Sequence, residues 1–130
     1  ADGTTYVVVA SPRPEAVAEA SWFAGELVDQ GITQIGGVVN LVHPAFGDGS
    51  ADDAATNATT SADPAVRARW ENVADLRRRR DAELDQLAAF DTQLRRAIGD
   101  RAPWATIPLL PDDVHDQVGL IHVERALTSP

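Results

Sequence analysis

Gly36-Gly37-Val38-Val39-Asn40-Leu41-Val42-His43-Pro44 is the stretch whose reading decides the fold. Val38-Val39 leads into Asn40, apolar residues resume at Leu41-Val42, and His43-Pro44 closes the run. Proline lacks a backbone donor and restricts the residue before it, so neither strand nor helix continues cleanly past Pro44. A short apolar run bounded by glycine and proline reads as a strand buried on both faces, as in a parallel sheet. A carboxamide near the end of such a strand needs a reason. Either Asn40 satisfies the chain as it turns out of the strand, or it reads a ligand in the crevice above the strands' carboxyl ends.

Two further strands flank this one in sequence. Tyr6–Ala10, Tyr-Val-Val-Val-Ala, is short and rich in β-branched residues. Ser11-Pro12-Arg13-Pro14 ends it, and Pro14 suits a first helical turn, where its missing N–H is no loss. Ala16, Val17, Ala20, Phe23, Ala24, Leu27 and Val28 recur at helical spacing, and Gly31 stops that helix. Strand, helix, strand with such short turns is a βαβ unit, expected to be right-handed. Trp104–Leu110 reads as the third strand, with Pro108 marking an edge or a bend at its end. Pro111-Asp112-Asp113 opens the last helix, with Asp112 as expected N-cap and Val114, Val118, Ile121 and Leu127 as expected inner face. The expectation is one α/β domain over residues 1–130. Its three strands lie parallel, with Pro14–Gln30 and the C-terminal helix as covering layers.

Between the second and third strands the composition changes. Gly47–Asp63 is dominated by Gly, Ser, Ala, Asp, Asn and Thr. Such a stretch buries too little apolar surface to offset its ordering entropy, so the expectation is a mobile acidic loop over 47–63. Asp63-Pro64 is an N-cap and N1 pair that opens a helical region over 64–98, closed by Gly99. Val66, Trp70, Val73, Leu84, Leu87, Leu94 and Ile98 step by three and four along it, with Arg77, Arg80 and Asp91 in the same register. A seam interrupted by charge suggests a partner helix or a rim. Arg77–Arg80 is flanked by Asp75, Asp81, Glu83 and Asp85, which points to a solvated face rather than a phosphate site.

The chain of 130 residues is large enough for one domain with a modest core. Its formal net charge of −9 argues against attraction to nucleic acid or to an anionic membrane surface. It contains no cysteine, hence no disulfide framework and no thiolate metal site. Ala1–Thr5 does not read as a signal peptide, and no apolar run approaches the ~20 residues of a membrane span. Asn57-Ala58-Thr59 reads as a chance match to a glycosylation acceptor. His115 and His122 are joined by no third ligand of matching spacing, so no metal site is expected there.

Three segments carry a family resemblance: Val7–Glu19, Gly37–Pro44 (Gly-Val-Val-Asn-Leu-Val-His-Pro) and Ile107–Val114 (Ile-Pro-Leu-Leu-Pro-Asp-Asp-Val). In order and spacing the chain resembles the C-terminal half of the anion-transporting ATPases. That family includes the arsenite-pump ATPase and the ATPase that targets tail-anchored membrane proteins, and the wording is nearest its actinobacterial members. The resemblance implies part of a deviant P-loop NTPase sheet of the nitrogenase-iron-protein class, cytoplasmic and dimeric, binding ATP with magnesium in the complete protein. It implies that Asn40 contacts the adenine and that the loop at Pro108, Leu109 and Leu110 closes over the base. A carboxamide can pair with a ring nitrogen and the exocyclic amine together.

The departures define the expectation further. No Gly-x-x-x-x-Gly-Lys-[Ser/Thr] run occurs, so the phosphate-binding chemistry would lie upstream of the matching region. No catalytic residue is assigned, and the chain alone is expected to be inactive. The Cys-x-x-Cys zinc clamp of the eukaryotic targeting members is absent, which rules out zinc-bridged dimerisation by that motif. Partners implied are a second copy or the N-terminal half of the ATPase, and a membrane-protein client without direct membrane insertion. The competing expectation is a protein-interaction module that docks a partner through the 64–98 helix.

Overall fold

The computed structural model describes residues 3–100, 102–111 and 113–128. The elements are β1 (Tyr6–Ala10), α1 (Pro14–Asp29), β2 (Ile35–Val42), α2 (Ala51–Thr60), α3 (Pro64–Ile98), β3 (Trp104–Pro108) and α4 (Gln117–Thr128). The strands form one three-stranded, all-parallel open sheet in the order β1-β2-β3. The fold is therefore α/β, with β2 at the centre and both other strands at edges. Pro108 ends edge strand β3, where its missing donor costs no ladder bond within the sheet.

One face of the sheet carries the core. Val8 and Ala10 of β1 and Ile35 and Val39 of β2 cluster with Val17, Ala20, Ala24 and Leu27 of α1 and with Phe90 and Leu94 of α3. The α1 stripe follows the sequence except at Phe23, which is exposed. A Schellman turn closes α1: Ile32 N donates to Leu27 O, Gly31 N donates to Val28 O, and Gly31 takes φ +82. Gly37 has a different reason to be glycine. A Cβ there would stand 2.6 Å from the Phe90 ring and 3.0 Å from Leu94. The bare backbone lets α3 lie directly on β2.

Residues 47–63 do not form the expected loop. Ala51–Thr60 is helix α2, opened by a complete capping box between Ser50 and Asp53. Its apolar face is only Ala51, Ala54 and Ala58, all buried. Composition underestimates this segment because alanines at helical spacing bury little side chain yet let two helices approach closely. The expectation of a mobile acidic loop is thus corrected, and slowed amide exchange is expected from Ala54 to Thr60 in hydrogen-exchange measurements.

The 64–98 region is one continuous helix of 35 residues, with Asp63 accepting from Ala65 N at its start. Two of the charges in its seam, Arg77 and Asp91, bond to other segments. Asp91 accepts from Trp104 Nε1 at 2.8 Å and from Arg95 Nε, which ties the entry of β3 to α3. Trp104 also meets Phe90 edge-on, with ring centroids 5.9 Å apart.

The expected inner face of the last helix is also corrected. Val114, Val118, Ile121 and Leu127 are all exposed. The helix starts later than its apolar spacing suggests, at Gln117, with Gly119 N bonded to Asp116 Oδ1. That start leaves Val114 outside it, and Gly119, Val123 and Ala126 become the half-buried positions. The expected cap at Asp112 lies outside the described residues. Among the described residues, no helix is long and apolar enough to cross a membrane.

Candidate functional site at the carboxyl ends of the strands

The β2–β3 ladder is regular from Gly37 to Val39, slips, and resumes at Val42 opposite Pro108. Asn40 and Leu41 fill the slip. Leu41 adopts φ +59, the single positive φ outside glycine among the described residues. A branched residue in this region is strained, typically by ~1 kcal/mol, so its neighbours must hold it there. Asn40 does so: its Oδ1 accepts from Leu41 N at 2.8 Å. The structural role considered for this carboxamide therefore has a bond behind it. That bond uses one lone pair of Oδ1 and leaves Nδ2 with no hydrogen-bond partner among the described residues.

Leu109 N donates to Val42 O at 2.8 Å, which holds the chain leaving β3 beside the end of β2. Asn40, Leu41, Ile107, Pro108, Leu109 and Leu110 consequently line one cavity of about 290 Å³, together with Asp113, Val114 and Val123. All four residues singled out in the sequence, Asn40, Pro108, Leu109 and Leu110, thus meet in one place. The walls are apolar except for the Asn40 carboxamide and Asp113, and no Lys or Arg contributes. The volume is at the small end of ligand sites, which begin at about 300 Å³, and suits a planar ring better than a whole nucleotide.

Beyond Val42 the chain is fastened to α3 by side chains whose sequence pattern suggested a solvated face instead. His43 N donates to Glu83 Oε2 at 2.8 Å, and His43 Nδ1 bonds Glu83 Oε1. Arg77, only 9% exposed, donates through Nε to Phe46 O, through NH1 to Ser50 O and through NH2 to Asp48 O. The expectation of a solvated Arg77–Arg80 face is corrected at Arg77, which is buried, and at Arg80, which is half-buried. Arg78 does lie in solvent, paired with Asp75. The available signal was register: Arg77 and Arg80 share the phase of the apolar seam.

Asp53 is the one described group whose acidity is clearly displaced. The Ser50 backbone N–H and then the Ser50 hydroxyl hold its carboxyl below the ordinary aspartate value, and the Arg77 charge adds to this. A carboxyl depressed in the folded state lends stability above its unfolded value, and loses it as pH falls through the folded one. Helix α2 is therefore expected to loosen below about pH 4, the ordinary range for aspartate. Ser50→Ala should weaken that pH dependence and cost about 1 kcal/mol. Amide exchange of Ala54–Ala58 against pH checks both.

Among the described residues, no cluster of His, Cys, Asp and Glu is arranged to hold a metal ion. Compared with known protein families and with curated proteins, the chain matches none.

Proposed function

We propose that this chain holds the adenine ring of a nucleotide between Asn40 and the Pro108–Leu110 turn. In this reading it is the base-binding portion of an ATPase of the anion-transporting type. The observation that carries the proposal is the single cavity in which those four residues converge at the carboxyl ends of parallel strands. The free Asn40 Nδ2 donates to a ring nitrogen, and the second lone pair of Oδ1 accepts from the exocyclic amine. Pro108, Leu109 and Ile107 supply apolar surface for the ring. A cytoplasmic location, Mg-ATP hydrolysis by the complete protein, and dimerisation with a P-loop half or a membrane-protein client follow from the same reading.

Asn40→Asp separates the two tasks of the carboxamide. It retains the Oδ1 acceptor for Leu41 N but lacks the donor and adds a negative charge. Calorimetric titration with ATP should show at least ~10-fold weaker binding for this variant, the scale expected when a buried recognition bond goes unmade. Equal affinity of the variant and the parent chain contradicts base reading by Asn40. No phosphate release above background is expected from the purified chain with Mg-ATP, because no segment supplies the donors and lysine of a phosphate loop. Sustained release, abolished by a non-hydrolysable analogue, contradicts that expectation.

A second reading rests on the length of α3. Its 35 residues span about 52 Å at ~1.5 Å per residue, while the sheet core takes Phe90 and Leu94, with Leu87 and Ile98 packed beside them, all from its C-terminal part. The N-terminal half packs against α2 and still exposes Val66, and Leu84 is exposed further along. A partner helix on that half would leave the Asn40 cavity free, so Val66→Asp would impair partner capture and spare nucleotide binding.

A further inference from the structure

Two side chains of α3 grip the chain that leaves β2, and an unpaired arginine stands between them. Glu83, only 7% exposed, accepts from His43 N through Oε2 and bonds His43 Nδ1 through Oε1. Arg77, nearer the start of the helix, holds the carbonyls of Phe46, Asp48 and Ser50. Arg80 lies midway between the two in sequence and is half-buried. It makes no hydrogen bond or ion pair among the described residues, and its Nη1 is fully enclosed. An enclosed donor without an acceptor is costly, and more so on a charged group, so this one asks for a partner.

We propose that Glu83 exchanges partners between His43 and Arg80, and that this exchange regulates the base cavity. Residues three and four apart on a helix are neighbours. For Arg80 these are Leu76, Arg77, Glu83 and Leu84, so Glu83 is the one carboxylate at such a spacing. In the state described here Glu83 holds His43 and Arg80 goes without. In the second state Glu83 turns to Arg80, satisfies its enclosed donor and releases His43. Each state leaves a different polar group without its partner, which is the condition for two packings of similar free energy.

One peptide joins this exchange to the cavity. The N–H of His43 and the C=O of Val42 belong to the same planar unit. The N–H donates to Glu83 Oε2, and the C=O accepts from Leu109 N, each at 2.8 Å. Glu83 thus fixes the plane whose other end holds Leu109 in the cavity wall. When Glu83 lets go, that plane is free to turn, Leu109 loses a fixed acceptor, and the strained backbone of Leu41 at φ +59 can relax. Neither Glu83 nor Arg80 lines the cavity, so both are positioning residues. The regulatory consequence rests on the base reading of that cavity: a nucleotide favours the state in which the wall is formed, and by linkage the His43–Glu83 state favours the nucleotide.

Calorimetric titration with ATP, together with NMR of the arginine side chains, tests the exchange. Arg80→Met keeps the apolar stem and removes the guanidinium, so it should tighten ATP binding about threefold by depopulating the state without a formed wall. Glu83→Gln, which keeps an acceptor for His43 N, should weaken binding about fivefold, and Arg80→Met added to it should bring no gain. Arg79→Met, at an exposed position beside them, should change nothing. Without nucleotide, His43→Ala frees Glu83 Oε1, and the Arg80 Nε–H should then exchange about tenfold slower than in the parent chain. A parent chain that binds no ATP contradicts the base reading, and the Arg80 signal in His43→Ala still decides whether Glu83 changes partners. An Arg80 Nε–H unaffected by His43→Ala overturns the proposal. So does Arg80→Met that leaves ATP binding unchanged or weaker, or that brings the same gain in the Glu83→Gln background.

Discussion

Arg77→Ala is expected to remove about 3 kcal/mol of stability and to release residues 44–60 from α3. The side chain makes three charge-assisted bonds to the carbonyls of Phe46, Asp48 and Ser50, and each of those acceptors loses its partner in the variant. Lysine does not replace it. An ammonium group lacks the planar fork that reaches three divergent carbonyls, so Arg77→Lys should recover less than half of the loss. The glycines of the loop fit the same clamp: a Cβ on Gly49 would lie 3.2 Å from Arg77 NH1, and Gly49 takes φ +104. Urea unfolding measures the cost, and faster amide exchange across α2 with an unaffected sheet identifies its place. A loss under 1 kcal/mol would show that the clamp is incidental.

Phe90→Ala should cost about 4 kcal/mol, the usual range for truncating a fully buried aromatic side chain. Phe90 is completely inaccessible, fills the contact between α3 and the centre of β2, and meets the Trp104 ring. Gly37→Ala attacks the same contact from the other side. Its new Cβ would fall 2.6 Å from the Phe90 ring, and overpacking of this kind costs about 1–3 kcal/mol. The two changes should not add: Gly37→Ala in the Phe90→Leu background has room for its methyl and should be milder than in the parent chain. Thermal unfolding of the four-member cycle checks this, and strict additivity would show that the two residues do not share one contact.

The strands were legible in the sequence because glycine and proline punctuate them and β-branched residues fill them. Tyr6–Ala10 is recovered to the residue, and the central strand extends one residue before the quoted stretch. The parallel sheet follows from the βαβ spacing. Helix α2 was not legible from composition, because Ala51, Ala54 and Ala58 contribute little hydrophobicity and work by close approach to α3. The roles of Arg77 and Glu83 were hidden for a related reason. A charged residue in a helical seam reads as an interruption until the chain segment that supplies its carbonyl or N–H partner is known. Asn40 stood out from the start, and the unusual backbone at Leu41 that gives it a structural task has no signature in residue type.

The most direct measurement of base binding is a heteronuclear NMR titration of the chain with ATP, using UTP as control. The Asn40 side-chain amide and the Leu41, Leu109 and Leu110 backbone amides should shift together and saturate with ATP. Tyr6–Ala10 should stay unmoved, and UTP should leave all of them in place. The absence of saturable shifts at Asn40 and Leu109–Leu110, or equal shifts with UTP, would contradict a base-reading site at the ends of β2 and β3.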